Sequence, residues 1–323
     1  MSDKSSASAL ALKLNLSRTQ KQFLSTLSGL VIICIFFTIM SPYFLTVRNL
    51  LTVATQTAII AIIAVGQTYV MITSGIDLSI GSNIALSGMI AALAMKAGVP
   101  IPVAVLFAVL SGCVVGLING LLVSYAKLPP FIATLGTMTA IRGVSLTLTQ
   151  GIPISGLPQA FTKFGTESTL GIPNPVIIMV ILVVIFGFIL AKTKLGRYVY
   201  AVGSNFEAAR LSGVNNNKTL ISVYIFSGLL AAFAGLIMAA RIISAQPAGG
   251  EGYELDAVAS SVIGGTSTMG GEGAIAGTFI GAFVIGVLRN GLNLIGVSPF
   301  IQKIVIGCVI VGAVFFDRIK RKD

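Results

Sequence analysis

The charged residues of this chain are clustered so tightly that they leave long stretches with none. Uncharged runs cover 22–47, 49–76, 78–95, 97–126, 128–141, 143–162, 168–191, 219–240, 257–271, 273–288, 290–302 and 304–316. A helix crosses the hydrocarbon core of a bilayer with about 20 apolar residues, and several of these runs reach that length unaided. The shorter ones reach it if a charge sits at a helix end. The runs are continuously apolar rather than alternating, which implies helices and not a barrel. Only 10% of the 323 residues are charged and 55% are hydrophobic, whereas a soluble domain carries about 25% charged residues. Too few charges remain to cover a water-soluble globule, so apolar surface must face lipid. The expected fold class is an all-α polytopic membrane protein.

Other chemistries are excluded by what is missing. There is no histidine, and Cys34, Cys113 and Cys308 all fall inside apolar runs without metal-ligand spacing. A zinc site or a Ser-His-Asp triad is therefore not expected, and the cysteines read as small core residues. The net charge of +11 does not indicate nucleic acid, because the basic residues sit at loop ends between apolar runs, where they act as topology signals. The polar, basic first 22 residues, with Lys4, Lys13, Arg18 and Lys21, lead into a long apolar run without a small-residue cleavage motif. That run reads as a retained first span rather than a signal peptide.

The pattern predicts ten spans, at about 23–41, 50–72, 77–96, 101–125, 129–149, 173–191, 219–240, 254–266, 273–293 and 299–316. Segment 254–266 is too short to cross and reads as a half-helix. With the N-terminus inside, the segments 1–22, 73–76, 126–128, 192–218, 267–272 and 317–323 are cytoplasmic and hold 14 of the 21 basic residues. This is the orientation that the bias of lysine and arginine toward the cytoplasm prefers. It divides the chain into an N-terminal tail 1–22, a transmembrane domain 23–316 whose largest cytoplasmic loop is 192–218, and a C-terminal tail 317–323.

The chain also repeats itself. GLINGLLVSYAKLPPFI at 116–132 is similar to GVLRNGLNLIGVSPFI at 286–301, pairing Asn119-Gly120 with Asn290-Gly291 and Pro130-Phe131-Ile132 with Pro299-Phe300-Ile301. IDLSIGSNIALSG at 76–88 pairs more weakly with YELDAVASSVIGG at 253–265; both open with acid near a helix start, where the macrodipole favours it. The copies lie five spans apart, so they would be inverted in the membrane, as in many transporters.

The loop TKLGRYVYAVGSNFEAARLSGVNNNK at 193–218 carries the clearest local signal. Ser204-Asn205-Phe206-Glu207 reads as a capping box, with Ser204 accepting from the amide of Glu207 and Glu207 reaching back. Ala208, Ala209, Arg210 and Leu211 favour helix, and Gly213 is a natural left-handed stop. A helix of about two turns is marginal alone in water, so this one is expected to dock. Ala208 and Ala209 permit close approach, and Phe206 and Leu211 can insert in a groove.

Here the chain resembles a known family. Glu207-Ala208-Ala209 followed after three residues by Gly213 matches the coupling motif of ATP-binding-cassette (ABC) importer permeases, in which this helix docks on a cytoplasmic ATPase. AVGQTYVMITSGIDLSIGS at 64–82, FIATLGTM at 131–138, LGRYVYAVGSNFEAARLSGV at 195–214 and SAQPAGGEGYELDAVASSVIGGTSTMGGEG at 244–273 are similar to ribose-type monosaccharide permeases of the branched-chain and sugar permease superfamily. The similarity runs from about 41 to 316. It implies a homodimer of permease subunits, a separate ATPase that binds ATP and magnesium, and a periplasmic or lipid-anchored sugar-binding protein. It also implies a bacterial inner-membrane location, with ribose as the foremost sugar. The chain itself has no GxxxxGK[ST] sequence, and the glycine-rich run 264–273 has no lysine for phosphates, so it reads as a tight turn and no cofactor is expected on this chain.

Further candidates are polar residues near or in spans. Asp77 reads as a cap on the third span or as a gating or proton-linked carboxylate. Ser82, Asn83, Asn119, Asn290 and Asn293 are, with Asp77, candidates for the translocation pathway. Arg142 is expected to snorkel outward, and Arg289 to face a cavity. Gln246, Glu251, Glu254 and Asp256, in an outer segment, are candidates for contact with a binding protein. The competing function is an ion-coupled secondary sugar transporter using Asp77. An intramembrane enzyme is excluded by the absence of histidine, of HExxH and of paired acids within a span.

Overall fold

The structure, a computed structural model, describes residues 18–320. Among these the chain forms thirteen helices and four two-residue strands. The helices are α1 (Arg18–Met40), α2 (Val47–Ile72), α3 (Ile80–Lys96), α4 (Ile101–Ser124), α5 (Pro130–Thr147), α6 (Gln159–Thr166), α7 (Asn174–Lys192), α8 (Lys194–Ser204), α9 (Phe206–Leu211), α10 (Asn216–Arg241), α11 (Tyr253–Ile263), α12 (Ile275–Leu294) and α13 (Pro299–Lys320). Strand β1 (Ile154–Ser155) pairs antiparallel with β4 (Ser244–Ala245), and β2 (Ser168–Thr169) with β3 (Ile172–Pro173).

Among the described residues six helices are long and apolar enough to cross a membrane: Phe23–Met40 of α1, then α2, α4, α7, α10 and α12. The other four expected spans are helical as α3, α5, α11 and α13 without reaching that standard. Helix α11 has 11 residues, which at 1.5 Å per residue rise about 16 Å, roughly half the hydrocarbon thickness. It is the half-helix that the pattern indicated. Helix α1 begins inside the expected tail 1–22, whose residues 1–17 lie outside the described ones. Helix α13 continues to Lys320, through most of the expected tail 317–323.

Two helices of 26 residues, α2 and α10, form the centre. From Ala58 to Val65 every residue of α2 is at most 2% exposed, and a helix apolar on all sides must be surrounded. Helix α2 packs on α10, α12, α11 and α7, and α10 packs on α2, α4 and α3. Glycines set the closest approach. A Cβ added to Gly116 of α4 would strike the backbone of Tyr224 and come 2.8 Å from Ile225 Cα, and one on Gly228 of α10 would lie 2.9 Å from Gly116 N. Only residues without a side chain let these two backbones cross, the same device that brings helices together in lipid.

Polar side chains tie the bundle where water cannot. The hydroxyls of Thr68 and Thr278 lie 2.7 Å apart, and that of Ser261 is 3.1 Å from Thr68. The amides of Asn49 on α2 and Asn290 on α12 donate to each other, both at 3.0 Å. Each is the other's side-chain partner, so the losses of the single Asn49→Leu and Asn290→Leu variants will sum to more than the loss of the double variant. The expected coupling is about 0.6–1.7 kcal/mol, the range of interhelical hydrogen bonds in bilayers. Reversible unfolding of the four variants in detergent measures it, and strict additivity would rule the pairing out.

Candidate functional site

The loop between α7 and α10 folds as two short helices. Thr193 starts the first, its hydroxyl accepting from Gly196 N at 3.3 Å, and α8 continues to Ser204. The chain then becomes extended at Asn205 (φ −159°) and turns into α9. Here the expected capping box is corrected by one residue. Ser204 is the last helical residue of α8, and Asn205 is the cap, its side-chain oxygen accepting from Ala208 N at 2.9 Å. Asparagine and serine cap equally well, so the sequence did not separate them. What decides it is the helical extension of α8, which was not anticipated and which holds Ser204 in helical geometry. Glu207 then sits one position too early to reach back. It pairs instead with Arg210 at 2.8 Å, an i,i+3 contact. Helix α9 is six residues long, shorter than the two turns expected.

The far end follows the expected stop. Gly213 has φ +83° and donates to Arg210 O, while Val214 N donates to Ala209 O, both at 3.0 Å. These are the paired bonds of a Schellman ending, which needs a left-handed residue at Gly213. Val214 joins Val202, Ala209 and Leu220 in a small apolar cluster, which supplies the hydrophobic contact of that motif. Asn215 caps α10 by accepting from Lys218 N at 3.0 Å, and Asn216 Nδ2 donates to Phe206 O at 2.7 Å. A helix too short to stand alone is thus pinned at both ends. Ala209 is its one buried residue. Phe206 and Leu211 are 44% and 79% exposed, and Glu207, Ala208 and Arg210 share that exposed surface. The result is a rigid knob with an apolar and charged outer face.

The pathway candidates are mostly packed away. Asp77, Ser82, Asn83, Asn119 and Asn290 are at most 5% exposed, and of the six only Asn293 is open. Asn83 Nδ2 donates to Gly228 O at 3.2 Å across to α10, and Ser82 Oγ to Ser79 O at 2.9 Å. Asp77 does not cap α3, whose N-cap Ser79 makes no side-chain cap bond. It lies on the connection before the helix, where Oδ1 accepts from Ser79 N at 2.9 Å and Ser79 Oγ at 2.6 Å. Oδ2 accepts from Ser227 Oγ of α10 at 2.7 Å, and Asn119 Nδ2 of α4 donates to Ser79 Oγ at 2.7 Å. Asp77 therefore knots α3, α4 and α10 together.

Segment 241–256 is folded inward rather than free. Arg142 does not snorkel outward; its guanidinium donates to Gly249 O at 2.7 Å and Pro247 O at 3.2 Å, because the carbonyls of this loop lie within its reach. Asp256 is 1% exposed and pairs with Arg289 of α12 at 2.6 Å, so it is sealed off from any contact with a partner. Arg289 meets this carboxylate and, at 5.7 Å, the ring of Tyr253 rather than a cavity. Gln246 Nε2 donates to Ser244 Oγ at 3.2 Å, and Glu254 Oε1 accepts from Gly252 N at 3.1 Å. Glu251 is exposed.

Sequence reasoning passed over α8, Arg142 as a loop anchor and the Asn49–Asn290 pair. Thr193 ahead of Lys-Leu-Gly-Arg was a readable cap for α8; the other two are long-range and leave no local trace.

Residues 49–314 match the family described as branched-chain amino acid transport system / permease component. The ribose import permease protein of Escherichia coli K12 is 48% identical over 301 residues, covering 92% of this chain and 94% of that protein. The ribose import permease protein of Bacillus subtilis 168 is also 48% identical over 301 residues, covering 93% of this chain and 94% of its own. The D-allose transport system permease protein of Escherichia coli K12 is 40% identical over 293 residues, covering 90% of each. No solved structure matches the chain.

Proposed function

The chain belongs to the permease-component family of branched-chain amino acid transport systems, and from that premise we propose that it is the membrane-spanning subunit of an ABC importer carrying a monosaccharide, ribose foremost, across the cytoplasmic membrane. The observation that carries this reading is the 48% identity to ribose import permeases over more than nine-tenths of both chains. The exposed knob formed by Phe206, Glu207, Ala208, Arg210 and Leu211 gives it a mechanism. A cytoplasmic ATPase, holding ATP and magnesium, closes on this face, and α9 transmits the stroke because Asn205 and Gly213 fix both of its ends. Both termini and the knob are then cytoplasmic, and an extracytoplasmic sugar-binding protein delivers the sugar at the opposite face, where Glu251 is open.

Ten membrane helices in two inverted halves fit the packing. Helix α3 lies against α10, α4 and α5, and α11 lies against α2, α12 and α13. Exchanging α2 with α10, α3 with α11, α4 with α12 and α5 with α13 turns one set of contacts into the other. Ser82, Asn83, Asn119 and Asn290 are buried within one chain, which supports a route for sugar formed between two copies. The ion-coupled alternative lacks support, because Asp77 is enclosed by Ser79 and Ser227. The test is co-purification with candidate ATPases followed by ribose uptake in vesicles. Uptake that requires ATP and is outcompeted by ribose before allose or xylose is expected. Uptake without ATP, with no ATPase bound, overturns the proposal.

A further inference from the structure

Helix α8 occupies a place that the coupling motif does not account for. Its C-terminal turn sits where two distant connections of the chain touch: the end of α2 at Ile72–Ser74, and the glycine-rich turn between α11 and α12. Those connections are themselves joined. Gly271 N donates to Ile72 O at 2.8 Å, and Ser74 Oγ donates to Met269 O at 2.9 Å. Gly203 of α8 is wedged against both. A Cβ there would collide with Ile72 O and lie 2.8 Å from Gly271 N. One turn earlier, Tyr200 Oη donates to Gly273 O at 2.7 Å. From these connections the chain runs on one side through Asp77 into α3 and on the other directly from α11. The two short helices begin side by side, since a Cβ on Gly81 would lie 2.5 Å from Gly250 O and against the Glu254 carboxylate.

We infer that Gly203 and Tyr200 form a second transmission contact, which delivers the displacement of α9 to the α2–α3 and α11–α12 connections together. This rests on the proposed coupling role of α9 and extends it. The physical basis at Gly203 is contact between backbones, and Tyr200 adds a direct hydrogen bond to the main chain of Gly273. Main chains touching without an intervening side chain move as one body, whereas flexible side chains between them would absorb a small displacement. Because Gly271 is bonded to Ile72, α8 pushes on a joined unit and not on either half alone. Gly203 and Tyr200 are positioning residues that touch no substrate.

The test uses the assembled importer, with its ATPase and binding protein, and reads sugar imported per ATP hydrolysed. Read on purified complex free of unassembled ATPase, this ratio does not depend on how much complex forms. Gly203→Ala, which must part the backbones, is expected to lower it at least about fivefold. Tyr200→Phe, which removes one hydrogen bond without adding bulk, is expected to lower it about two- to threefold. If Gly203→Ala does not assemble, Tyr200→Phe decides. Ratios equal to the parent in both variants, while Glu207→Lys lowers the ratio, overturn this inference and leave the coupling reading standing. An unchanged ratio in Glu207→Lys as well removes the coupling reading, and this inference with it.

Discussion

Replacing Gly213 with proline will leave the protein inserted in the membrane and reduce sugar uptake by about two orders of magnitude. Gly213 holds φ +83°, and the proline ring locks φ near −65°. The substitution also removes the N–H that donates to Arg210 O at 3.0 Å. Proline in a helix interior costs about 3 kcal/mol or more, and a loss of that order at this ending is roughly a hundredfold shift between the intact and the frayed form at 1.4 kcal/mol per factor of ten. In a helix of six residues the last turn cannot fray without losing the docking face. Glu207→Lys tests the same element through charge. It breaks the 2.8 Å pair with Arg210 and places a cation in the first turn, where the helix dipole disfavours it by about 0.3–1 kcal/mol. Membrane fractionation and ATP-driven uptake measure both variants, and normal uptake by Gly213→Pro would count decisively against α9 as the coupling element.

The largest effect on stability is expected at Arg289. One of its Nη atoms lies 2.8 Å and 2.6 Å from the two oxygens of Asp256, and Asp256 is 1% exposed. Arg289→Leu strands that carboxylate in the packing between α11 and α12. Breaking a buried pair from one side costs about 3–5 kcal/mol, while replacing both members with apolar residues is often neutral. Arg289→Leu is therefore expected to lose most of the folded protein in thermal unfolding in detergent. The Asp256→Leu, Arg289→Leu double variant should recover most of the loss. A single variant as stable as the parent would show that the pair contributes nothing.

These predictions draw unequally on what could be read from the chain. The existence of α1, α2, α4, α7, α10 and α12 was legible because lipid leaves no choice: a long uncharged segment must satisfy its backbone internally. Gly213 was legible as a stop because few residues other than glycine tolerate φ near +83°. The cap of α9 was only half legible. Ser204 and Asn205 have the same chemistry, and α8, packed through Gly203 and Tyr200, decided between them.

The polar residues in spans show the limit most clearly. Asp77, Asn119 and Asn290 look alike in sequence as candidates for a pathway, yet each is enclosed by a partner far away along the chain: Ser227, Ser79 and Asn49. Asp256, a sequence candidate for contact with a binding protein, is instead buried, and Arg289 reaches it from α12. Hydropathy and backbone conformation are local properties, so residue order alone determined the long apolar helices and the left-handed stop at Gly213, but not the short helices α6 and α8. Which polar groups meet depends on how the helices cross, and only the tertiary structure decided that, since a buried charge or amide takes whichever partner the packing brings within about 3 Å.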